Sequence, residues 1–266
     1  MATDGYFAHG YGVKSQGMGG VGIALPQDAI AAATNPAGMG LIGDRLDVGA
    51  TWFRPIRESE IVGNFGGAEG TYKANDTKNF IIPEFGYNKV INDQLSLGVS
   101  VYANGGMNTD YNRVIPLFNA VDGRKPGIDL AQLFVAPTLA WKINESNTVG
   151  FSVNLAYQRF EAKGLQNFDN PDPSNPPSTS AKGHVTNEGH DNSYGAGVHV
   201  GWIGKVNDVV TLGATYQSKT YMSRFNKYKG LFAEHGDFDI PETYGVGIAV
   251  KATPKLTIAS DLQRIN

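Results

Sequence analysis

From about position 47 onward, apolar residues recur at every second position in segments roughly ten residues long. That period puts successive side chains on opposite faces of an extended strand, one face oily and the other small or polar. In 149–158, Val149, Phe151, Val153, Leu155 and Tyr157 share one face, and Gly150, Ser152, Asn154, Ala156 and Gln158 share the other. In 194–202, Tyr194, Ala196, Val198, Val200 and Trp202 oppose Gly195, Gly197, His199 and Gly201, with an aromatic residue at each end of the apolar row. Aromatic side chains favour the two interfaces of a bilayer, and a tilted ten-residue strand spans its apolar core. Nine strands are predicted, near 46–56, 79–90, 95–104, 131–143, 148–162, 193–206, 209–222, 242–252 and 255–264. The second is the weakest, because Pro83 cannot donate to a strand ladder.

The connections alternate in length. Short turns rich in Asn, Asp and Pro fall at 91–94, 144–147, 207–208 and 253–254. Long connections fall near 57–78, 105–130, 163–192 and 223–241. Outer-membrane barrels have short periplasmic turns and long external loops, whereas a soluble sandwich has no reason to keep that parity. The fold class expected is therefore all-β, an antiparallel transmembrane β-barrel. An odd count leaves two sheet edges unpaired in hydrocarbon, and the chain reaches Asn266 inside a strand pattern. Both point to an incomplete barrel whose last strands are missing.

Composition agrees and removes alternatives. Gly makes up 34 of 266 residues, well above average usage of about 7 per cent, and charged residues only 18%. The net charge of -3 is small and the basic residues are scattered, so nucleic acid is not an expected partner. No cysteine is present, which removes disulfides and thiolate chemistry. No run of 18 apolar residues offers a transmembrane helix. The start, MATDGYF, reads as a mature chain, with Ala2 and the polar residues after it as the scar of a removed leader.

Residues 1–44 do not alternate. They are Gly-rich, with a short helical stretch near 27–34 and then Asn35-Pro36-Ala37-Gly38. Gly17 to Gly22 fits the spacing of a dinucleotide loop, but neither a preceding strand nor a βαβ unit supports it. The histidines His9, His184, His190, His199 and His235 lack metal-ligand spacing, and G-x-S-x-G is absent. No metal site, cofactor or enzyme activity is expected.

Here the sequence resembles the FadL-like outer-membrane transport family, whose members carry long-chain fatty acids or aromatic hydrocarbons. The resemblance rests on Gly10, Gly12, Lys14, Ser15, the glycine-rich run 17–20, Asp28, Ala29 and Asn35-Pro36-Ala37-Gly38. It continues through 98–106, 193–216, 241–247, Thr253-Pro254-Lys255-Leu256 and Asp261. It implies a fourteen-stranded barrel, about nine strands of which are present here, with 1–44 folded into the lumen as a hatch and 45–266 forming the wall. It also implies an outer-membrane location, contact with membrane lipid and lipopolysaccharide, and a monomer when full length.

Three segments follow as site candidates. Asn35-Pro36 reads locally as a helix stop, and the resemblance adds a hatch or gating role for Asn35, Pro36, Ala37 and Gly38. Asn104, Gly105 and Gly106 read either as an ordinary turn or as the kink that the family's third strand makes beside the hatch. Ile115, Leu117, Phe118 and Val121 lie in an otherwise polar loop, where they either pack against neighbouring loops or form an external groove for a hydrophobic substrate. The function implied is passive uptake of hydrophobic small molecules. The alternative is a structural or adhesive barrel whose long loops meet other surfaces.

Overall fold

A computed structural model describes residues 5–64 and 66–266, so the leader scar read at Ala2 lies outside the described residues. In chain order the strands are β1 (Arg45–Phe53), a separate hairpin of β2 (Glu58–Ile61) and β3 (Gly70–Lys73), β4 (Phe80–Val90), β5 (Leu95–Asp110), β6 (Gly127–Lys142), β7 (Asn147–Lys163), β8 (Asp191–Lys205), β9 (Val210–Gln217), the two-residue β10 (Tyr221–Met222), β11 (Thr243–Thr253) and β12 (Leu256–Ile265). Leaving out β2, β3 and β10, nine strands run as one antiparallel meander, each paired with its neighbour in sequence. These are the nine strands that the alternation predicts.

The faces also agree. Along β7 the even-numbered residues from Thr148 to Ala162 are buried without exception, while Phe151, Leu155 and Arg159 are exposed. The inward face is buried because the hatch fills the lumen. Both edges of the sheet bind it: Asp47 of β1 accepts from the Ala29 N–H at 2.9 Å, and Asp261 of β12 accepts from Gly22 and Ile23 at 2.7 and 2.9 Å. A sheet whose first and last strands hold the same short segment has curled round it. Within the hatch lie the one-turn helix α1 (Val13–Gly17) and two 3-10 turns, Ala31–Ala33 and Pro36–Gly40. The stretch expected as a helix near 27–34 is thus a single 3-10 turn. Asn35 does more than stop it, because its side chain also caps the next turn by accepting from Ala37 N, with Pro36 in the first position.

Several bounds differ from the expectation for physical reasons. Pro83 lies inside β4, opposite Ala50 of β1, on a stretch that has no partner on its other side, so its missing N–H costs no ladder bond. β5 does not end at 104. A bulge between Ala103 and Gly105 carries it on to Asp110, and the loop 105–130 shrinks to 111–126. β9 stops at Gln217 rather than near 222, because its register against β8 slips by one residue there; the chain keeps its direction, and β10 pairs with β8 at Gly195 and Ala196. The segment expected as a long external loop at 223–241 then folds inward. Phe225, Tyr228 and Ile240 are fully buried, and Gln158 Nε2 donates to Phe238 O at 2.8 Å. The lumenal core therefore has three sources: Phe7 and Ile30 from the hatch, Tyr102, Phe134 and Met222 from the wall strands, and Ile240 from this loop.

Candidate functional site

The wall has a window between β4 and β5. Their ladder runs from Val90↔Ser96 only as far as Phe85↔Val101. Beyond it, β4 remains with β1 and β5 with β6, and the facing edges separate. The upper end closes again where Asn75 bridges Asp110, with Thr77 Oγ1 donating to Asp110 Oδ2 at 2.7 Å. Open sheet edges do not persist in hydrocarbon unless something pairs with them. Here the hatch does so. Phe7 bridges Gly105, Ala8 N donates to Asn104 O at 3.2 Å, and Gly106 N donates to Tyr6 O at 2.8 Å. Gly105 is needed for this approach, since a Cβ there would overlap the Tyr6 carbonyl.

Asn104, Gly105 and Gly106 are thus neither a turn nor a strand exit but the bulge that turns β5 from its ladder with β4 to the hatch. Asn104 also opens an amide chain across the inner wall. It donates to Gln132 Oε1 at 2.9 Å, Gln132 donates to Gln158 Oε1 at 2.8 Å, and Gln158 ends on the returning loop. Tyr11 donates its hydroxyl to Asn104 at 3.2 Å, which ties the hatch to the same chain.

A cavity of about 880 Å³ lies at this window. On the lumenal side it is bounded by Tyr6, Phe7, Phe53, Phe80, Tyr102 and Leu130. Its walls also include Ala131, Leu133 and Tyr157, which by register share a face with Val135, Leu155 and Phe151. Both faces of one sheet can border one cavity only if the cavity runs through the wall.

Elsewhere the hatch is tightly held. Asn35 is fully buried and donates through Nδ2 to Ile23 O at 2.8 Å and to Trp202 O at 3.1 Å, and Pro36, Ala37 and Gly38 are buried beside it. Asn88 of β4 donates to Met39 O and Gly43 O, and Ser100 of β5 to Ala29 O at 2.6 Å. Glycine at 150 and 201 lets the wall meet the hatch, since a Cβ at Gly150 would overlap the Pro36–Ala37 peptide.

A second, smaller cleft of about 270 Å³ lies among the external loops. Phe118 lines it together with Ile128, Leu165, Phe168 and Leu231, and its ring sits 5.9 Å from that of Phe168. The other three residues of that apolar cluster lie apart from the cleft: Ile115 is buried, while Leu117 and Val121 are exposed. Sequence reasoning did not find Phe168 or Leu231, because the cleft is assembled from three loops with no common period. Tyr6 and Phe7 were likewise missed, since an aromatic pair in a glycine-rich run carries no periodic signal. Among the described residues no group of His, Asp and Glu is arranged to hold a metal ion.

An antiparallel wall wrapped round its own N-terminal hatch, with apolar rows facing outward and no helix among the described residues able to cross a membrane, defines a plugged outer-membrane β-barrel. A family model described as outer membrane protein transport protein (OMPP1/FadL/TodX) matches residues 1–265, and the chain belongs to that family. Solved structures share the fold. The Ralstonia pickettii toluene transporter TbuX superposes with a TM-score of 0.72 at 20% identity, over 97% of this chain and 72% of that one. The P. putida toluene transporter TodX gives 0.71 at 19%, over 97% and 70%. A Pseudomonas aeruginosa FadL homologue gives 0.64 at 15%, over 98% and 69%. No curated protein sequence matches the chain.

Proposed function

We propose that this protein takes up hydrophobic small molecules passively, and that cargo leaves through the side of the barrel rather than down its axis. The observation that carries this reading is the cavity crossing the wall at a window that, among the described residues, is filled by residues 6–8. Cargo would enter at the Phe118–Phe168 cleft, move to the aromatic cavity, and pass the window when Tyr6, Phe7 and Ala8 leave the β5 edge. Each buried methylene contributes about 0.8 kcal/mol, so shape and apolar area suffice to hold an oily molecule without an energy source. The axial route is blocked by Asn35, Pro36, Ala37 and Gly38, packed on glycines and hydrogen-bonded to the wall. The two toluene transporters among the structural relatives support hydrocarbon cargo. The outward rows face membrane lipid, with lipopolysaccharide beyond the Tyr157–Tyr194 ring contact. Plug, window and cavity all come from one chain, in keeping with a working monomer. A structural or adhesive barrel needs neither window nor cavity.

The test exploits the absence of cysteine. Ala8→Cys with Asn104→Cys places two thiols opposite one another across the hatch bridge. Oxidation should stop ethylbenzene uptake by cells carrying the protein, and a reductant should restore it, while each single variant ignores the oxidant. Uptake that continues with the pair locked would refute release through the window.

A further inference from the structure

Beyond Tyr157 the outward rows of β6 and β7 become ionic, and these side chains line the lipid-side mouth of the passage. Arg159 Nη2 lies 2.9 Å from Asp129 Oδ2. His190 Nε2 lies 3.0 Å from the same oxygen and 3.5 Å from Glu161 Oε2. Lys163 Nζ lies 2.9 Å from Asp110 Oδ1. Arg57 donates to Asn108 O and, at 2.6 Å, to Thr77 O, and its buried Nε has no hydrogen-bond partner. On the lumenal side Glu84 accepts from Val13 N at 2.9 Å.

Among the described residues that line the passage, four carboxylates (Glu84, Asp110, Asp129 and Glu161) face three cations (Arg57, Arg159 and Lys163). Arg159 and Lys163 are ion-paired, and Arg57 donates to two backbone carbonyls while its unpaired Nε is buried. An anionic cargo would give up hydration and meet more carboxylates than cations, with Arg159 and Lys163 already paired. An uncharged cargo meets no such penalty. On the uptake reading of this passage, on which this step rests, we infer that the passage admits uncharged hydrocarbons and rejects carboxylates, and that Asp129 and Glu161 are the side chains that discriminate. Asp129 acts twice, by repulsion and by occupying Arg159.

The test compares initial uptake of ethylbenzene and of 3-phenylpropanoate at pH 7 and low salt, in cells with and without the protein. The wild type should raise the first rate and leave the second at background. Asp129→Asn with Glu161→Gln removes two like charges and should raise 3-phenylpropanoate uptake by up to about a hundredfold, tenfold for each charge about 6 Å away at an effective dielectric near 40, and leave ethylbenzene within twofold. Glu161→Gln alone keeps the Arg159–Asp129 pair and should give a smaller gain, which secures the test if the double variant fails to reach the membrane. Equal wild-type uptake of both compounds, or no gain in either variant while ethylbenzene still enters, would overturn the charge filter. Uptake of neither compound by the wild type would overturn the uptake reading itself.

Discussion

Asn35→Ala should loosen the hatch without unfolding the wall. The Asn35 side chain makes three short hydrogen bonds: Nδ2 to Ile23 O at 2.8 Å and to Trp202 O at 3.1 Å, and Oδ1 from Ala37 N at 3.1 Å. Trp202 O already serves the sheet, so its loss there is small. Ala37 N and Ile23 O are left without this partner in a fully buried site, where Gly201 packs directly on the amide. Unpaired buried groups cost about 1–3 kcal/mol each, so roughly 2–6 kcal/mol is expected in total. At about 1.4 kcal/mol per factor of ten, local opening rises about 30- to 20,000-fold. Native-state hydrogen exchange in detergent measures this at the amides of Ala37 and Gly38, with wall amides as the internal standard. Asn35→Asp keeps the shape but sets a buried acceptor against two carbonyl oxygens, so it should loosen the hatch at least as much. Exchange within threefold of wild type in both variants would show that these bonds do not hold the hatch.

Three further outcomes follow from the same contacts. Gly150→Val forces side-chain atoms into the Pro36–Ala37 peptide and should destabilise the protein by about 1–3 kcal/mol, read as a lower midpoint of heat-modified gel migration. Phe118→Ala removes the ring packed on Phe168 and should weaken capture of an alkylbenzene at the outer cleft by roughly 5- to 30-fold in a fluorescence-quenching titration, with no change in thermal stability. In the loop 111–126, the Asn119 amide and the Arg124 N–H hold the Asp122 carboxyl below the usual carboxylate range. A depressed value contributes stability that is present above the ordinary carboxylate pKa and lost as pH falls through the lower one. The ratio of pepsin cleavage of this loop in the wild type to that in Asp122→Asn should therefore be flat down to about pH 4 and rise below it.

What could be read from the sequence was whatever obeys a period. Nine strands, their faces and the parity of their connections follow from alternation, because one face meets lipid and the other a packed hatch. Where the period breaks, the reading breaks with it. After the bulge at Asn104 the inward parity passes from even to odd numbers, with Met107 now opposite Leu130, so β5 looked finished six residues too soon. Phe225, Tyr228, Phe232 and Phe238 follow no regular spacing, because they fold as an irregular loop against Phe160, so their burial in the lumen left no pattern to read. The hatch was legible only through its family motif.

The hatch and the window form one device, and the unequal strength of the hatch's attachments says which part moves. Residues 22–40 are held by Asp261, Asp47, Ser100 and Asn88 as well as by the Asn35 bonds. At the window, the backbone of residues 6–8 makes two bonds to β5, and Phe7 buries one ring. Two such bonds at about 1 kcal/mol each and the packed rings of Tyr6 and Phe7 at about 2 kcal/mol each come to about 6 kcal/mol. That corresponds to roughly one molecule in twenty thousand open at any moment, rare enough to seal the wall and frequent enough for passive exchange. The bare β5 edge would raise the cost in lipid, and an apolar cargo lying against it lowers the cost again. Exchange should therefore be faster at the amides of Ala8 and Gly106 than at those of Ile23 and Ala29, and saturation with ethylbenzene should change the first pair alone. If all four exchange together, the hatch opens as one body and the window is not the gate.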